Sequence, residues 1–216
     1  MDPFPWRLVT VDIDGTLTRG HGWHEIAQGF GRLPEYERTN RRFFAHEIDE
    51  DAHITDLLDL AYGHSVAEVL ARVAATPKLD GIREAVASLR GRGATVALLT
   101  HNPDYVAEWY RSTFGFDAFD STHGQAVVGG LLDHPRGVHA DKLLGLSRLL
   151  ESPGRSARTT VHVGDGWSDA LVFRRAGGGI ALNSRLPEVE RAADRALHTL
   201  DFRDVAAAIE GLQPRE

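Results

Sequence analysis

The hydrophobic positions of this chain follow two patterns, short continuous apolar runs and stripes with the spacing of an amphipathic helix. The runs are rich in β-branched or aliphatic residues and predict buried strands at 9–11, 94–99, 159–163 and 180–182. Helical stripes separate these runs. Because strands and helices alternate along most of the chain, we expect an α/β fold with a doubly wound, mostly parallel sheet.

One long helical region interrupts this alternation between residues 18 and 76. Trp23, Ile26, Ala27 and Phe30 lie at i, i+3, i+4 and i+7 and mark its first helix. Further apolar stripes indicate three more helices, and a capping-box sequence at 65–68 opens the last one. Since this region follows the first strand directly, we interpret it as an insertion into the α/β core.

The second half of the chain contains clear signals for the ends of elements. The pair Asn102-Pro103 is typical of a helix N-cap followed by proline at the first helical position. The glycines at 177–179 indicate a tight connection from a helix to a strand. We also expect a hairpin around 127–132, a short strand near 196–199 and a final helix from residue 201.

Composition limits the classes of function. The 216 residues include 24 basic and 31 acidic side chains, and the formal net charge of −7 argues against a nucleic-acid partner. The chain has no cysteine, which excludes disulfides and thiolate metal sites. No apolar run approaches the roughly 20 residues of a membrane span, and the N-terminus lacks a signal-peptide pattern. We therefore expect a cytoplasmic protein with no membrane partner.

Two acidic residues end the first predicted strand. Asp12 and Asp14 are two residues apart, so in a strand they face the same side and emerge together at its carboxyl end. Open α/β sheets place their ligand sites at this edge. Two carboxylates held this close are costly unless a cation or a shared proton offsets them. Taken alone, the pattern also fits a solvated Asp-Gly turn.

Other chemical groups are predicted to reach the same edge, because they lie at strand ends or helix starts. They are Thr100, Lys142, Asp165 and Asp169. Only two of the 24 basic residues are lysines, which suggests that Lys142 is retained for its compact ammonium. Carboxylates, a hydroxyl and an ammonium together suit phosphoryl transfer, and oxygen ligands favour Mg²⁺ over zinc.

With these residues the chain resembles the haloacid dehalogenase superfamily of phosphohydrolases, in particular the branch that includes phosphoserine phosphatase. Four motifs of that family occur in order over nearly the whole chain, at 12–16 (DIDGT), 98–100 (LLT), Lys142 and 164–169 (GDGWSD). The helical region after the first motif is similar to the family's C1-type cap. The resemblance implies a Rossmann-like catalytic core formed by 1–17 and 77–216, and a cap formed by 18–76.

The resemblance also implies a mechanism. Asp12 would attack phosphorus and form an aspartyl-phosphate, while Asp14 would protonate the leaving oxygen and later deprotonate the hydrolytic water. Thr100 and Lys142 would bind the phosphoryl oxygens. Dehalogenases of this superfamily lack the second aspartate, so a phosphatase is expected. The Mg²⁺ ligands that the resemblance implies are Asp12, the backbone carbonyl of Asp14, Asp165 and, nearby or through water, Asp169.

The residues that select the substrate depart from the family pattern. Phosphoserine phosphatases carry a cap glutamate nine residues after the nucleophile, where this chain has His21. They carry a cap arginine in a region that corresponds here to residues 54–58, which contain no arginine. They also carry a glycine pair after the second motif, where this chain has His101-Asn102. We therefore expect a Mg²⁺-dependent hydrolase of a small phosphorylated metabolite, which need not be phosphoserine. The candidate substrate contacts in the cap are His21, Trp23, His24, Arg41 and Arg42.

Two alternatives stay open at this point. A phosphotransferase would pass the phosphoryl group from Asp12 to an acceptor alcohol instead of water. A non-catalytic phospho-ligand or phospho-aspartate signalling module, like a response-regulator receiver, would also carry an acidic Mg²⁺ cluster with a threonine and a lysine. Receivers, however, lack a helical insertion after the first strand, and their phosphorylated aspartate lies on a later strand.

Overall fold

A computed structural model of the protein describes residues 4–122 and 125–215. Within these ranges the strands are β1 (Leu8–Val11), β2 (Thr95–Pro103), β3 (Ala118–Thr122), β4 (Val127–Val128), β5 (Leu131–Leu132), β6 (Thr160–Gly164), β7 (Gly178–Leu182) and β8 (Arg195–Leu197). The helices are α1 (Gly22–Gly29), α2 (Leu33–Phe44), α3 (Glu50–Asp59), α4 (Val66–Ala75), α5 (Ile82–Gly91), α6 (Asp104–Phe114), α7 (Lys142–Leu150), α8 (Trp167–Arg175), α9 (Pro187–Ala192) and α10 (Phe202–Glu210).

Six strands form one sheet in the order β3-β2-β1-β6-β7-β8, and each neighbouring pair is parallel. The chain builds one side of the sheet first and then returns to β6, next to β1. Such a reversal of strand order is where open α/β sheets hold their ligands. The predicted α/β class with a doubly wound parallel sheet is confirmed. β4 and β5 form the predicted hairpin, which is antiparallel and separate from the sheet.

The central strand β1 is buried along its whole length, as expected for a parallel strand covered on both faces. Its pairing with β6 continues beyond its last residue, because the Asp12 N–H donates to the Val163 carbonyl at 2.9 Å. The sheet itself therefore holds the backbone of Asp12 in place. No helix among the described residues has both the length and the apolar character needed to cross a membrane.

Four helices, α1 to α4, lie between β1 and α5, where the sequence predicted an insertion. The predicted capping box opens α4: the Ser65 hydroxyl accepts from the Glu68 N–H, and the Glu68 carboxylate accepts from the Ser65 N–H. The buried face of α1 contains Trp23 and Ile26, which belong to the same hydrophobic cluster as Val11 in the sheet. The inserted helices and the sheet therefore share a continuous core.

The segment after Thr100 differs from the sequence prediction. β2 extends to Pro103, α6 begins at Asp104, and Asn102 does not cap that helix. The side-chain amide of Asn102 instead donates to the Asp14 carboxylate at 2.9 Å. A hydrogen bond to a charged acceptor is stronger than a neutral one, which favours this arrangement over a cap.

Two further details concern the C-terminal half. The short helix α9 was not predicted from the sequence. Gly178 and Gly179 form the first residues of β7, and a Cβ on them would come within 2.7 Å of Trp6 and of Phe173, respectively. The glycines therefore let the strand pack closely against two buried rings, next to the predicted helix-to-strand connection.

Candidate active site

The carboxyl end of β1 places the two predicted aspartates together. Asp12 is buried, and both Asp12 and Asp14 line the cavity described below. Gly15 then turns the chain with a φ of +79°, a conformation that residues with a side chain rarely adopt. A Cβ at Gly15 would also lie 2.3 Å from a carboxylate oxygen of Asp165. The turn and the close approach of the two segments therefore both require glycine here.

Lys142 joins two of the predicted acidic residues. It is the first residue of α7, whose N-cap is Asp141, and its Nζ lies 2.9 Å from Asp12 Oδ1 and 2.6 Å from Asp169 Oδ1. Burial by itself lowers the pKa of Lys142, but the two carboxylates raise it above its usual value. Burial by itself raises the pKa of Asp169, but Lys142 and a hydrogen bond from His162 hold it below its usual value. Lys142 is therefore a charged ammonium between two carboxylates.

A buried histidine behind Asp169 was not singled out in the sequence. His162 Nε2 lies 2.9 Å from Asp169 Oδ1, and its Nδ1 lies 2.8 Å from the hydroxyl of Thr10. The other carboxylate oxygen of Asp169 accepts from the N–H groups of Asp165 and Gly166 at 3.0 and 2.9 Å. Both carboxylate oxygens of Asp169 are therefore hydrogen-bonded. The alternation of β6 could have indicated His162, since it is a polar residue inside a run of valines.

Three carboxylates gather beside Lys142. Oxygen atoms of Asp12, Asp165 and Asp169 all lie within 4.8 Å of one another. Burial, opposed by Lys142 and reinforced by Asp169, raises the pKa of Asp12 to about 7. Burial and the two neighbouring carboxylates raise the pKa of Asp165 well above its usual value, although Thr16 donates to it at 3.0 Å. One ammonium does not balance this cluster, so its charge and its oxygen donors fit a divalent cation.

Asp14 is held from two directions. Its Oδ1 accepts the Gly22 N–H at 2.7 Å, and its Oδ2 accepts the Asn102 amide at 2.9 Å. The same amide donates to the buried hydroxyl of Thr100 at 3.1 Å. Asn102 is a site residue that the sequence analysis missed. Thr100 and Asn102 are two residues apart on a strand and face the same side, so their spacing could have indicated Asn102.

These residues open onto a cavity of about 120 Å³. Its base, which we call the strand-end floor, consists of Asp12, Asp14, Thr100, Asn102, Lys142 and Asp169, with Asp165 beside them. Its surroundings, which we call the side wall, consist of His21, Trp23, Phe43, Glu50, His53, Ile54, Leu57, His101 and Ser168. Every predicted catalytic, phosphate-binding or metal-binding residue lines the floor except Asp165. Most of the side wall comes from the inserted helices.

The candidate substrate contacts of the cap fall into two groups. His21 and Trp23 line the cavity. Three others do not, because their side chains leave the inserted helices in other directions and pair elsewhere. His24 Nδ1 lies 3.1 Å from Glu25, Arg41 lies 3.9 Å from Glu37, and Arg42 lies 3.7 Å from Asp56.

Two imidazoles of the side wall are neutral at physiological pH. Burial lowers the pKa of His53 to about 4, and burial together with Lys142 lowers the pKa of His101 to about 3. His53 lies 3.0 Å from the Asn40 amide oxygen and stacks on the ring of Phe43. His101 Nδ1 lies 3.4 Å from Glu50. The side wall therefore receives no positive charge from these two histidines.

Comparisons with known proteins point to one family. Residues 6–177 match the model described as haloacid dehalogenase-like hydrolase. Over 183 residues the chain is 30% identical to a phosphoserine phosphatase of Archaeoglobus fulgidus. The matched region covers 83% of this chain and 53% of that protein. The chain thus spans about half the length of that relative.

A second relative matches over nearly its full length. The phosphoserine phosphatase of Methanocaldococcus jannaschii is 23% identical over 202 residues, or 92% of this chain and 95% of that protein. The crystal structure of a phosphoserine phosphatase from T. onnurineus has a TM-score of 0.72 at 25% identity, and covers 99% of both chains. This last likeness concerns the whole fold, including the inserted helices.

Proposed function

The chain belongs to the haloacid dehalogenase-like hydrolases, and we propose that it hydrolyses small phosphomonoesters through an aspartyl-phosphate on Asp12. The observation that carries this proposal is the strand-end floor. An aspartate pair, a hydroxyl, an ammonium and a further acidic pair meet at the carboxyl edge of one sheet. Phosphoryl transfer needs this combination of nucleophile, acid, donors and cation site.

In the first step, Asp12 attacks phosphorus while the bond from phosphorus to the leaving oxygen breaks. Lys142 Nζ, 2.9 Å from Asp12 Oδ1, orients the nucleophile and binds phosphoryl oxygens together with the hydroxyl of Thr100. Asp14 delivers a proton to the leaving oxygen, so the product leaves as a neutral alcohol. The Gly22 N–H and the Asn102 amide hold Asp14 in position for this transfer.

In the second step, Asp14 removes a proton from water, and the resulting oxygen attacks the phosphorus of the aspartyl-phosphate. The acyl phosphate bond breaks, inorganic phosphate leaves, and the carboxylate of Asp12 is restored. The same carboxylate thus works as an acid and then as a base, which requires a fixed position rather than a fixed charge. Its two donors, one from α1 and one from β2, support that role.

The acidic cluster would hold a divalent cation. Asp12, Asp165 and Asp169 offer the side-chain oxygens, and the backbone carbonyl of Asp14 is a further candidate ligand. A hard cation with oxygen ligands is best matched by Mg²⁺, which would neutralise charge on the phosphoryl oxygens. The crowding of carboxylates that raises the pKa of Asp12 and Asp165 supports a cation here.

Residues 18–76 would act as a cap that forms most of the side wall, while 1–17 and 77–216 carry the reaction. The hydrogen bond from the Gly22 N–H to Asp14 supports these two roles, because it connects the first helix of the insertion to the acid–base residue. A small phosphorylated metabolite would therefore contact both parts. The side wall offers neither a glutamate at position 21 nor an arginine within 54–58, so its substrate need not be phosphoserine.

Hydrolysis of p-nitrophenyl phosphate tests the proposed reaction. We expect turnover that requires Mg²⁺ and that falls by about 10³-fold or more in Asp12→Asn, since the amide cannot act as the nucleophile. The exposed Asp204→Asn is the matched control and is expected to retain full activity. Turnover that survives in Asp12→Asn, or absence of turnover in the wild type, would contradict the proposal. Product analysis with added alcohols separates hydrolysis from transfer to an acceptor.

A further inference from the structure

The charges of the cavity are strongly unequal. Its floor has three lining carboxylates against one ammonium, and that ammonium already lies between Asp12 and Asp169. The side wall adds the carboxylate of Glu50 and, within the described part of the chain, no arginine or lysine. A bound divalent cation would be balanced by the phosphoryl dianion itself. The part of the cavity that receives the leaving group is therefore negative.

Glu50 has hydrogen-bond donors nearby but no cation of its own. It is the first residue of α3, its Oε1 lies 3.4 Å from His101 Nδ1, and Ser168 donates a hydrogen bond to it. Burial raises the pKa of Glu50, and the more distant Lys142 only partly opposes that effect. A carboxylate in this situation is stabilised by a ligand that brings positive charge.

His101 lies next to Glu50 in the same wall. The adjacent Glu50 carboxylate favours the tautomer with the proton on Nδ1, which directs this donor toward Glu50. The Nε2 of His101 is buried and is therefore not offered to a ligand in the cavity. The acceptor that the wall presents to a ligand is the Glu50 carboxylate.

The size of the cavity restricts that ligand further. A volume of about 120 Å³ is below the roughly 300–1,000 Å³ typical of sites for drug-sized ligands, which favours a small leaving group. A compact cation therefore suits both the size of the cavity and the Glu50 carboxylate.

We propose that the substrate is the phosphomonoester of a small amino alcohol, with a protonated amine that binds Glu50 and with no carboxylate. This inference rests on the proposed function. An ammonium has several N–H donors and one positive charge, so it can donate to Glu50 and balance its charge. A hydroxyl has one proton and no charge. A carboxylate would face Glu50 without a cation.

The reaction follows the two steps given above. The bond between phosphorus and the amino-alcohol oxygen breaks as Asp12 bonds to phosphorus, and Asp14 supplies the proton with which the amino alcohol leaves. Water then releases inorganic phosphate. The protonated amine takes no part in bond making, so Glu50 is a substrate-binding residue that selects the leaving group.

Competing substrates test the inference. We expect kcat/KM for O-phosphoethanolamine to exceed that for L-O-phosphoserine and for glycerol 3-phosphate by about tenfold or more. In Glu50→Gln the ratio of kcat/KM for O-phosphoethanolamine to that for glycerol 3-phosphate should fall by about tenfold, because the amide carries no charge. The control is Glu47→Gln, an exposed glutamate just before α3, which should leave that ratio unchanged.

Three results would overturn the inference while leaving the phosphatase in place. They are a preference for L-O-phosphoserine, equal use of glycerol 3-phosphate, and an unchanged ratio in Glu50→Gln. A failure of the proposed function looks different, because neither p-nitrophenyl phosphate nor any phosphate ester would then be hydrolysed in an Asp12-dependent way. Circular dichroism of Glu50→Gln and Glu47→Gln confirms that both variants are folded.

Discussion

The strand-end floor and the side wall face the same small cavity, but they are built in opposite ways. In the floor, Asp12, Asp169 and Lys142 are buried together as charged groups, and each has at least one partner within 3.0 Å. In the side wall, His53 and His101 stay neutral, and Glu50 has polar donors beside it but no paired cation. The floor is a closed electrostatic network, whereas the wall keeps a carboxylate without a paired cation.

Under the proposed function, this difference separates reaction from recognition. Buried charges are tolerated only when they are paired and hydrogen-bonded, so the floor leaves little freedom to exchange one residue for another. The wall places a few polar atoms among rings and aliphatic side chains, where we expect one substitution to change the preferred leaving group without disturbing the network. Substitutions in the floor should therefore reduce both activity and stability. Substitutions in the wall should have smaller effects or should change only the preference among substrates.

The largest effect on stability is expected for Lys142→Met. Without the ammonium, the carboxylates of Asp12 and Asp169 are left buried and uncompensated, which should lower the free energy of unfolding of the metal-free protein by about 3–5 kcal/mol at pH 8. Activity should be lost as well. Denaturant unfolding with a chelator present measures the first effect. The loss should shrink as the pH falls, because protonation of Asp12 removes one of the two charges.

The second lysine of the chain provides the comparison. Lys78 donates to the carbonyls of Ala74 and Thr76 and contacts no part of the cavity lining. Lys78→Met should therefore retain activity. If it abolished turnover as Lys142→Met does, the special place of Lys142 in the floor would be refuted.

Removal of the amide that positions Asp14 should give the next largest change. We expect Asn102→Ala to lower kcat by about 10- to 100-fold, with KM altered by less than about threefold, because Asp14 and Thr100 lose a shared donor. Steady-state kinetics with p-nitrophenyl phosphate measures both constants. Gln125→Ala removes an amide that donates to the Leu58 carbonyl and does not line the cavity, and it should change neither.

The neutral state of His53 predicts how stability depends on pH. Its pKa of about 4 in the folded protein lies below the roughly 6.5 of an unfolded imidazole, so the unfolded chain binds more protons between these values. Stability should therefore fall as the pH drops from about 6.5 to about 4. His53→Gln keeps a donor for Asn40 but does not titrate, so its urea midpoint should change less over this range. Parallel slopes for the two proteins would contradict this explanation.

The smallest effects are expected for the arginines of α2. Arg41 pairs with Glu37 on the exposed surface, and neither it nor Arg42 lines the cavity. Exposed ion pairs contribute about 0–1 kcal/mol, so Arg41→Ala should change the free energy of unfolding by less than about 1 kcal/mol. Its kcat/KM for any phosphate ester should stay within about twofold of the wild type. A tenfold loss would place Arg41 in substrate binding after all.

The division between floor and wall also separates the residues that could be predicted from the sequence from those that could not. The predicted floor residues Asp12, Asp14, Thr100, Lys142 and Asp169 do line one cavity, with Asp165 beside them. Parallel strands bring their carboxyl ends to one edge, so a residue's position relative to its own strand was sufficient. Asn102 was missed because a cap signal, Asn followed by Pro, competed with a tertiary contact to a carboxylate 88 residues earlier.

The residues of the side wall could not be identified from strand ends. His21 and Trp23 do line the cavity, but His24, Arg41 and Arg42 do not. Glu50 and His53 were not singled out, and His101 was noted only as a departure from the family's glycine pair. Helical periodicity shows which face of a helix is apolar. It does not show how the four inserted helices are rotated over the sheet, and that rotation decides which polar side chains reach the cavity.

The sequence by itself predicted the class of fold, most of the strands and helices, and the set of polar groups at the strand ends, because each depends on local pattern and on the geometry of a parallel sheet. The tertiary structure alone decided the protonation of His53 and His101, the positioning of Asp14 by Gly22 and Asn102, and the place of Glu50 in the side wall. These features depend on burial and on contacts between residues far apart in the chain. In the proposed phosphatase, the reacting groups follow from the strand ends, and the choice of substrate follows from how the helices pack over them.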